Sequence, residues 1–301
     1  MKDPKRSRHR ARSTPVITLV FALSLMASAP ALAGEGRAGG KLMLTNGVST
    51  IEGSSGGGIS TWALIAGNET ADGIGGSAHV SVIALPDFRW TSYGGAIGIE
   101  DRLELSYARQ NLDTRAVGAT LGIGRNYTLN QDVFGAKVRV AGDAVYGSAW
   151  LPQVAVGLQY KHNLDAPITA AVGARHASGV DFYAAATKLL LRRSILLGAT
   201  ARYTKANQNG LLGFGGDQGR NRSLQVEGTV GYQVSRRFVV GTEYRSKPDN
   251  LGFAREDDWK TAYAAYAIGR NLTATAAYVD LGSIATADRQ RGGFLSLQAA
   301  F

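Results

Sequence analysis

From about His79 to the end of the chain, side chains alternate with a period of two, and the two faces this creates differ in an unusual way. Val154, Val156, Leu158 and Tyr160 share one face, opposite Gln153, Ala155, Gly157, Gln159 and Lys161. Leu224, Val226, Val230, Tyr232 and Val234 oppose Ser223, Gln225, Glu227, Thr229, Gly231 and Gln233. Phe134, Ala136, Val138 and Val140 oppose Gly135, Lys137 and Arg139, and Phe238, Val240, Thr242 and Tyr244 oppose Val239, Gly241, Glu243 and Arg245. In a water-soluble sandwich the bulky aliphatic face is the core and the other is polar surface. Here the second face is small or charged, which suits the sheet turned inside out, with aliphatic residues toward lipid and Gly, Ala, Thr and Gln in a lumen. A sheet in lipid cannot leave an edge unpaired, so it must close. The expected fold is therefore all-β: a closed antiparallel up-and-down transmembrane β-barrel of about 14 strands, within a range of 12–16.

The connections support this. Short turns at Glu100–Arg102, His162–Asp165, Arg192–Arg193, Ser235–Arg237 and Gly269–Asn271 alternate with long polar ones such as Lys205–Arg222, Ser246–Asp258 and Leu281–Gly293. Short turns on one side and long loops on the other is the habit of bacterial outer-membrane barrels. Tyr107, Tyr160, Tyr203, Tyr232, Tyr244 and Tyr278 fall on the apolar face, where interfacial aromatic girdles sit. The last strand ends on an aromatic residue, with Leu295, Leu297, Ala299 and Phe301 on one face. This resembles the signal that Gram-negative outer-membrane barrels present to the barrel assembly machinery.

The N-terminus reads as an export signal. Six basic residues (Lys2, Lys5, Arg6, Arg8, Arg10, Arg12) precede an apolar run from Pro15 to Ala29, and Ala31-Leu32-Ala33 offers a small-x-small cleavage site. Cleavage there places the protein in the outer membrane and changes its charge. The whole chain has 33 basic and 23 acidic residues; removing six and one leaves 27 and 22, so the net falls from +10 to +5. No basic block survives, which argues against a nucleic-acid partner. There is no cysteine, hence no disulfide. The expected organisation is a cleaved signal peptide over 1–33, a Gly-rich segment over 34–76 and the barrel over 77–301. The Gly-rich segment could be a luminal plug, a first hairpin or a loose periplasmic arm.

Several stretches together resemble a family of exported bacterial proteins known only as a domain of unknown function. They include Gly40-Lys41-Leu42-Met43-Leu44-Thr45-Asn46-Gly47-Val48, Glu52-Gly53-Ser54-Ser55-Gly56-Gly57-Gly58 with Trp62, Asp101 to Gln110, Lys137-Val138-Arg139, Leu151-Pro152-Gln153 and Val156 to Lys161. The resemblance implies a porin-like envelope barrel and brings no activity or ligand with it.

Chemical motifs are sparse. Gly40-Lys41 is followed by Leu42, which excludes a phosphate-binding loop. His79, His162 and His176 show no metal-ligand spacing, so neither metal nor cofactor is called for. His79 and Ser81 share a strand face, and a lipid-acting enzyme would need both at the bilayer rim. The stronger constellation is the set of charges expected to point inward: Lys137, Arg139, Lys161, Arg175, Arg202 and Arg245, with Glu104, Glu227 and Glu243 among them. Such groups either line a wet pore or pair into a filled interior. The resulting expectation is a passive, porin-like, non-enzymatic channel for small solutes with a weak anion preference. A non-conducting structural barrel is the alternative. Membrane lipid and small solutes are the other expected partners, and the oligomeric state is left open.

Overall fold

A computed structural model describes residues 41, 44, 47–146, 148 and 150–301. The expected signal peptide and most of residues 34–46 lie outside this set. Two short strands come first, β1 (Val48–Ser49) and β2 (Ser55–Gly56), which pair only with each other. Twelve further strands follow: β3 (Ile74–Ala84), β4 (Arg89–Ile99), β5 (Leu103–Asp113), β6 (Thr128–Ala141), β7 (Gln153–Asn163), β8 (Ser178–Leu190), β9 (Ile195–Thr204), β10 (Ser223–Ser235), β11 (Phe238–Arg245), β12 (Trp259–Ala267), β13 (Leu272–Asp280) and β14 (Arg291–Ala300). Each pairs antiparallel with its sequence neighbours, and β14 returns to pair with β3, closing the barrel. Leu295 stands opposite Val82 and Leu297 opposite Val80 across that seam. Every strand therefore has two partners and no edge faces lipid.

The strand number corrects the expectation of about 14: twelve strands close the barrel. The long connections Lys205–Arg222 and Ser246–Asp258 fold inward, and Leu211, Leu212, Phe214 and Leu251 on them are buried as strand residues would be. Ile59–Ala66, whose apolar residues suit a further strand, does not contribute to the wall, and most of Lys41–Thr45 lies outside the described residues. The supposed turn at His162–Asp165 is also displaced. β7 runs through His162, and a long connection containing a short helix, α2 (Ala166–Ala171), follows it; a single-turn helix, α1 (Val117–Thr120), sits in the β5–β6 connection.

The inside-out alternation holds strand by strand. On β5, Glu104, Ser106, Ala108, Gln110 and Leu112 are buried, while Leu105 and Tyr107 are exposed. The outer surface carries Phe134, Tyr160, Phe182, Tyr203, Val230, Tyr232, Tyr278 and Leu295, each more than a third exposed. An 11-residue strand rises about 36 Å along its axis and, tilted by about 45°, spans roughly 25 Å of hydrocarbon. One aromatic ridge crosses three strands: Tyr107 packs on Phe134 (5.1 Å between ring centroids), and Phe134 on Tyr160 (6.5 Å). Tyr107 lies mid-strand, unlike the other girdle tyrosines.

Both described ends of the chain lie on the short-turn side. There Phe301 bonds Gly76 in both directions, and the Asn68 amide donates to the Phe301 carbonyl (3.1 Å). The opposite mouth carries the long connections and an apolar cluster. Trp90, Leu112, Leu129, Trp259, Val279 and Phe294 project inward from the strand ends, and Phe88, Leu211, Leu251 and Ile284 descend from the loops. Trp90 meets Trp259 edge-to-face at 5.5 Å. The lumen thus has an apolar cap at the loop mouth and a polar middle.

Candidate functional site

A barrel of about eight strands can be filled by its own side chains, whereas sixteen or more enclose a channel. Twelve strands leave a lumen too wide for side chains alone. Residues 47–66 occupy it, and all of them are buried. The segment enters from the short-turn side, turns through β1 and β2 and returns to the same rim. Its position explains its glycines at two points. Gly53 has φ +89°, and a Cβ there would stand 2.8 Å from the Tyr107 carbonyl oxygen on the wall. At Gly57 any Cβ would collide with the Glu243 carboxylate and the Trp62 ring.

The segment's backbone groups cannot reach water, and inward wall side chains replace it. Glu104 accepts from the Ser55 and Ala66 amides (3.3 and 2.9 Å), and Glu227 from the Thr61 amide (2.7 Å). Glu243 accepts from the Ile59 amide (3.2 Å) and the Ser60 hydroxyl. Lys137 donates to the Leu64 and Ser55 carbonyls (2.7 and 3.2 Å) and pairs with Glu104 (3.0 Å). Ser92 and Gln110 both donate to the Ile51 carbonyl at 2.7 Å.

At the centre is Glu52, the only charged residue between Lys41 and Glu69. Its carboxylate is held by three cations from three strands. Arg245 grips both oxygens, Nη1 to Oε2 at 2.9 Å and Nη2 to Oε1 at 3.2 Å. Lys161 Nζ stands 2.5 Å from Oε1, and Arg202 Nη2 3.4 Å from Oε2. Burial by itself raises the Glu52 pKa, but Arg202, Arg245 and Lys161 together hold it well below the usual carboxylate range. Asp181 and Glu227 complete the cluster, pairing with Lys161 (2.8 Å) and Arg202 (2.6 Å) respectively. Three cations thus face three carboxylates, and one of the three belongs to the inserted segment.

The loop side reaches the same point. Asn209, in the β9–β10 connection, accepts from Lys161 Nζ and Arg245 Nη2, both at 2.8 Å. The inserted segment and an opposite-side loop therefore meet on the same two cations.

Of the expected inward charges, Lys137, Lys161, Arg202, Glu227, Glu243 and Arg245 are buried in the lumen and converge on residues 47–66. Arg139 lies apart at the short-turn rim, paired with Asp101 (2.6 Å). Arg175 is on no strand; it follows α2 and donates to the Gly216 carbonyl (3.1 Å). Sequence reasoning missed Glu52, Asp181, Asn209 and Gln159 as members of the cluster. For Glu52 a signal existed, a lone charge within a long glycine-rich stretch. His79 and Ser81 face the lumen, where His79 contacts the Ser92 hydroxyl (3.2 Å) and Ser81 donates to Ser296 (2.8 Å). Neither faces the bilayer, as lipid chemistry would need. Leu295, Leu297 and Phe301 are exposed on the outer face, as the terminal alternation requires.

A protein-family model described as "Protein of unknown function (DUF3034)" matches residues 45–298. No curated protein matches. Among solved structures, the chain is similar to the KdgM porin (TM-score 0.49, 9% identity, 75% of this chain and 99% of that chain). It is also similar to the NanC porin (TM-score 0.48, 12% identity, 75% and 98%). An outer membrane channel from Pseudomonas putida F1 gives a TM-score of 0.45 at 11% identity, over 77% and 96% of the two chains.

Proposed function

The chain belongs to the DUF3034 family of proteins of unknown function, and we propose that it is an outer-membrane channel closed at rest by its own N-terminal segment. The observation that carries this reading is the way residues 47–66 are held. They form their own two-stranded sheet and donate no ladder bonds to the wall, which is complete without them. Their hydrogen bonds to the barrel run through wall side chains that water can satisfy once the segment leaves, while Ile51, Ile59, Trp62, Ala63 and Leu64 pack in apolar clusters inside the lumen. Because the strand ladder closes without residues 47–66, the lumen can empty without breaking a single strand pair of the wall.

When the segment moves out, small solutes diffuse past a ring of inward charges without chemistry. A weak anion preference then rests on Lys161, Arg202 and Arg245, which lose the Glu52 carboxylate and face only Asp181 and Glu227. Export through residues 1–33 and insertion by the assembly machinery through the Leu295–Phe301 strand complete the reading. The apolar outer face supports lipid as the surrounding medium.

Planar-bilayer recording in a salt gradient tests the proposal. The full-length barrel is expected to stay mostly closed with brief openings, and a chain lacking residues 47–66 to carry steady, mildly anion-selective current. A shortened barrel that folds, shows heat-modifiable migration and stays silent overturns it, and leaves the non-conducting structural barrel.

A further inference from the structure

The Lys161–Arg202–Arg245 cluster is a carboxylate-binding site that the chain's own side chain fills. Its geometry is that of a receptor. One guanidinium takes the two Glu52 oxygens in parallel, and each oxygen has a second cation, Lys161 on Oε1 and Arg202 on Oε2. Such a planar, two-oxygen clamp matches a carboxylate. All three cations are buried and held in place by partners outside the segment: Arg202 by Glu227 and Gln159, Lys161 by Asp181, and Arg245 by Asn209 (2.8 Å) and the Trp259 ring (5.5 Å). A second observation is independent of Glu52. Gln159 and Asn209, both buried against these cations, each keep an amide nitrogen with no hydrogen-bond partner. The cluster thus has donors to spare beyond those that Glu52 satisfies, and an unmet buried donor is costly.

Resting on the reading of the segment as displaceable, we propose that this cradle is the recognition site for a small organic carboxylate, and that Glu52 is a built-in competitor for it. A solute carboxylate that enters the cradle replaces Glu52 charge for charge, so its binding and release of the segment are one linked equilibrium. Neutral solutes gain nothing from that exchange.

Chemical rescue tests the site directly. Glu52→Ala removes one methylene and the carboxylate, a fragment with the shape of acetate. The full-length Glu52→Ala barrel is expected to lose its heat-modification midpoint relative to the natural chain and to regain it saturably with sodium acetate. Acetamide, and sodium chloride at equal ionic strength, should leave it unchanged, and inorganic phosphate should rescue less than acetate. Equal responses to acetate and chloride overturn the site, and a stronger response to phosphate overturns its assignment to carboxylates. If Glu52→Ala does not fold, the test passes to the unaltered barrel in a planar bilayer. There, replacing chloride by acetate is expected to raise the open fraction, and an unchanged fraction overturns the proposal. Rescue by acetate in a barrel that never conducts under any condition keeps the carboxylate site and refutes the channel reading instead.

Discussion

Replacing Glu52 by Gln keeps the side chain's volume and removes its charge, and the cost can be worked from the cluster. The carboxylate meets Arg245 through two bonds, Lys161 at 2.5 Å and Arg202 at 3.4 Å, all out of water. In Glu52→Gln, one position keeps a carbonyl acceptor, while the other carries an NH2 that must face Arg245 together with Lys161 or Arg202, donor against donor. The three cations are left with two carboxylates. Breaking a buried ion pair by removing one partner costs about 3–5 kcal/mol. The retained acceptor favours the low end, and about 3 kcal/mol corresponds to a shift of roughly 150-fold in the inserted-to-released equilibrium. The cost cannot be avoided by repacking, because Lys161, Arg202 and Arg245 sit on closed-barrel strands, but it can be avoided by letting the segment go. Single-channel recording should therefore show the open fraction of Glu52→Gln raised by about two orders of magnitude, until it saturates. Glu243→Gln is the matched control. Glu243 also touches the segment but has no ion-pair partner among the described residues. Gln can accept from the Ile59 amide and donate to the Ser60 hydroxyl, so the open fraction should change by less than about tenfold. Equal behaviour of the two variants, or a Glu52→Gln barrel as closed as the natural one, refutes the latch.

Other outcomes follow from the same geometry. The Glu52 carboxyl is held well below its ordinary value of 4.5 when inserted, so its contribution is complete above that value and is lost as pH falls toward the lowered one. Acid should then raise the open fraction of the natural barrel more steeply than that of Glu52→Gln, read by recording across pH 3 to 7. Ala63 on the segment shares a small buried cluster with Ala155 on β7, Tyr183 and Ala185, and the chain has no cysteine. Ala63→Cys with Ala155→Cys should form one disulfide that silences the barrel until reductant is added; conductance in the oxidised form, with the crosslink confirmed on a gel, would mean that current bypasses the segment. Gly53→Ala forces a side chain into φ +89° against the Tyr107 carbonyl, a cost of about 1–3 kcal/mol borne by the inserted state alone. It should raise the open fraction at least fivefold in single-channel recording.

The sequence alone determined the class of wall. A period of two with bulky residues on one face and Gly, Ala, Gln and charges on the other is a local property, and burial along β5, β7 and β10 follows it residue by residue. That the wall closes also follows from the sequence, because lipid tolerates no open edge. The number of strands did not, because alternation marks a strand's faces but not its ends, so an expected range of 12–16 narrows to twelve only when each strand's partners are known. Nor did the contents of the lumen. Lys137, Lys161, Arg202 and Arg245 were legible as inward charges, but alternation assigns a residue to a face and is silent on what meets it there. Glu52 is separated from Lys161, Arg202 and Arg245 by more than a hundred residues, and Asn209 reaches the same cations from the opposite mouth. Only closure of the barrel at twelve strands, wide enough to admit residues 47–66 and narrow enough to bring three strands' cations onto one carboxylate, decides that they form a site.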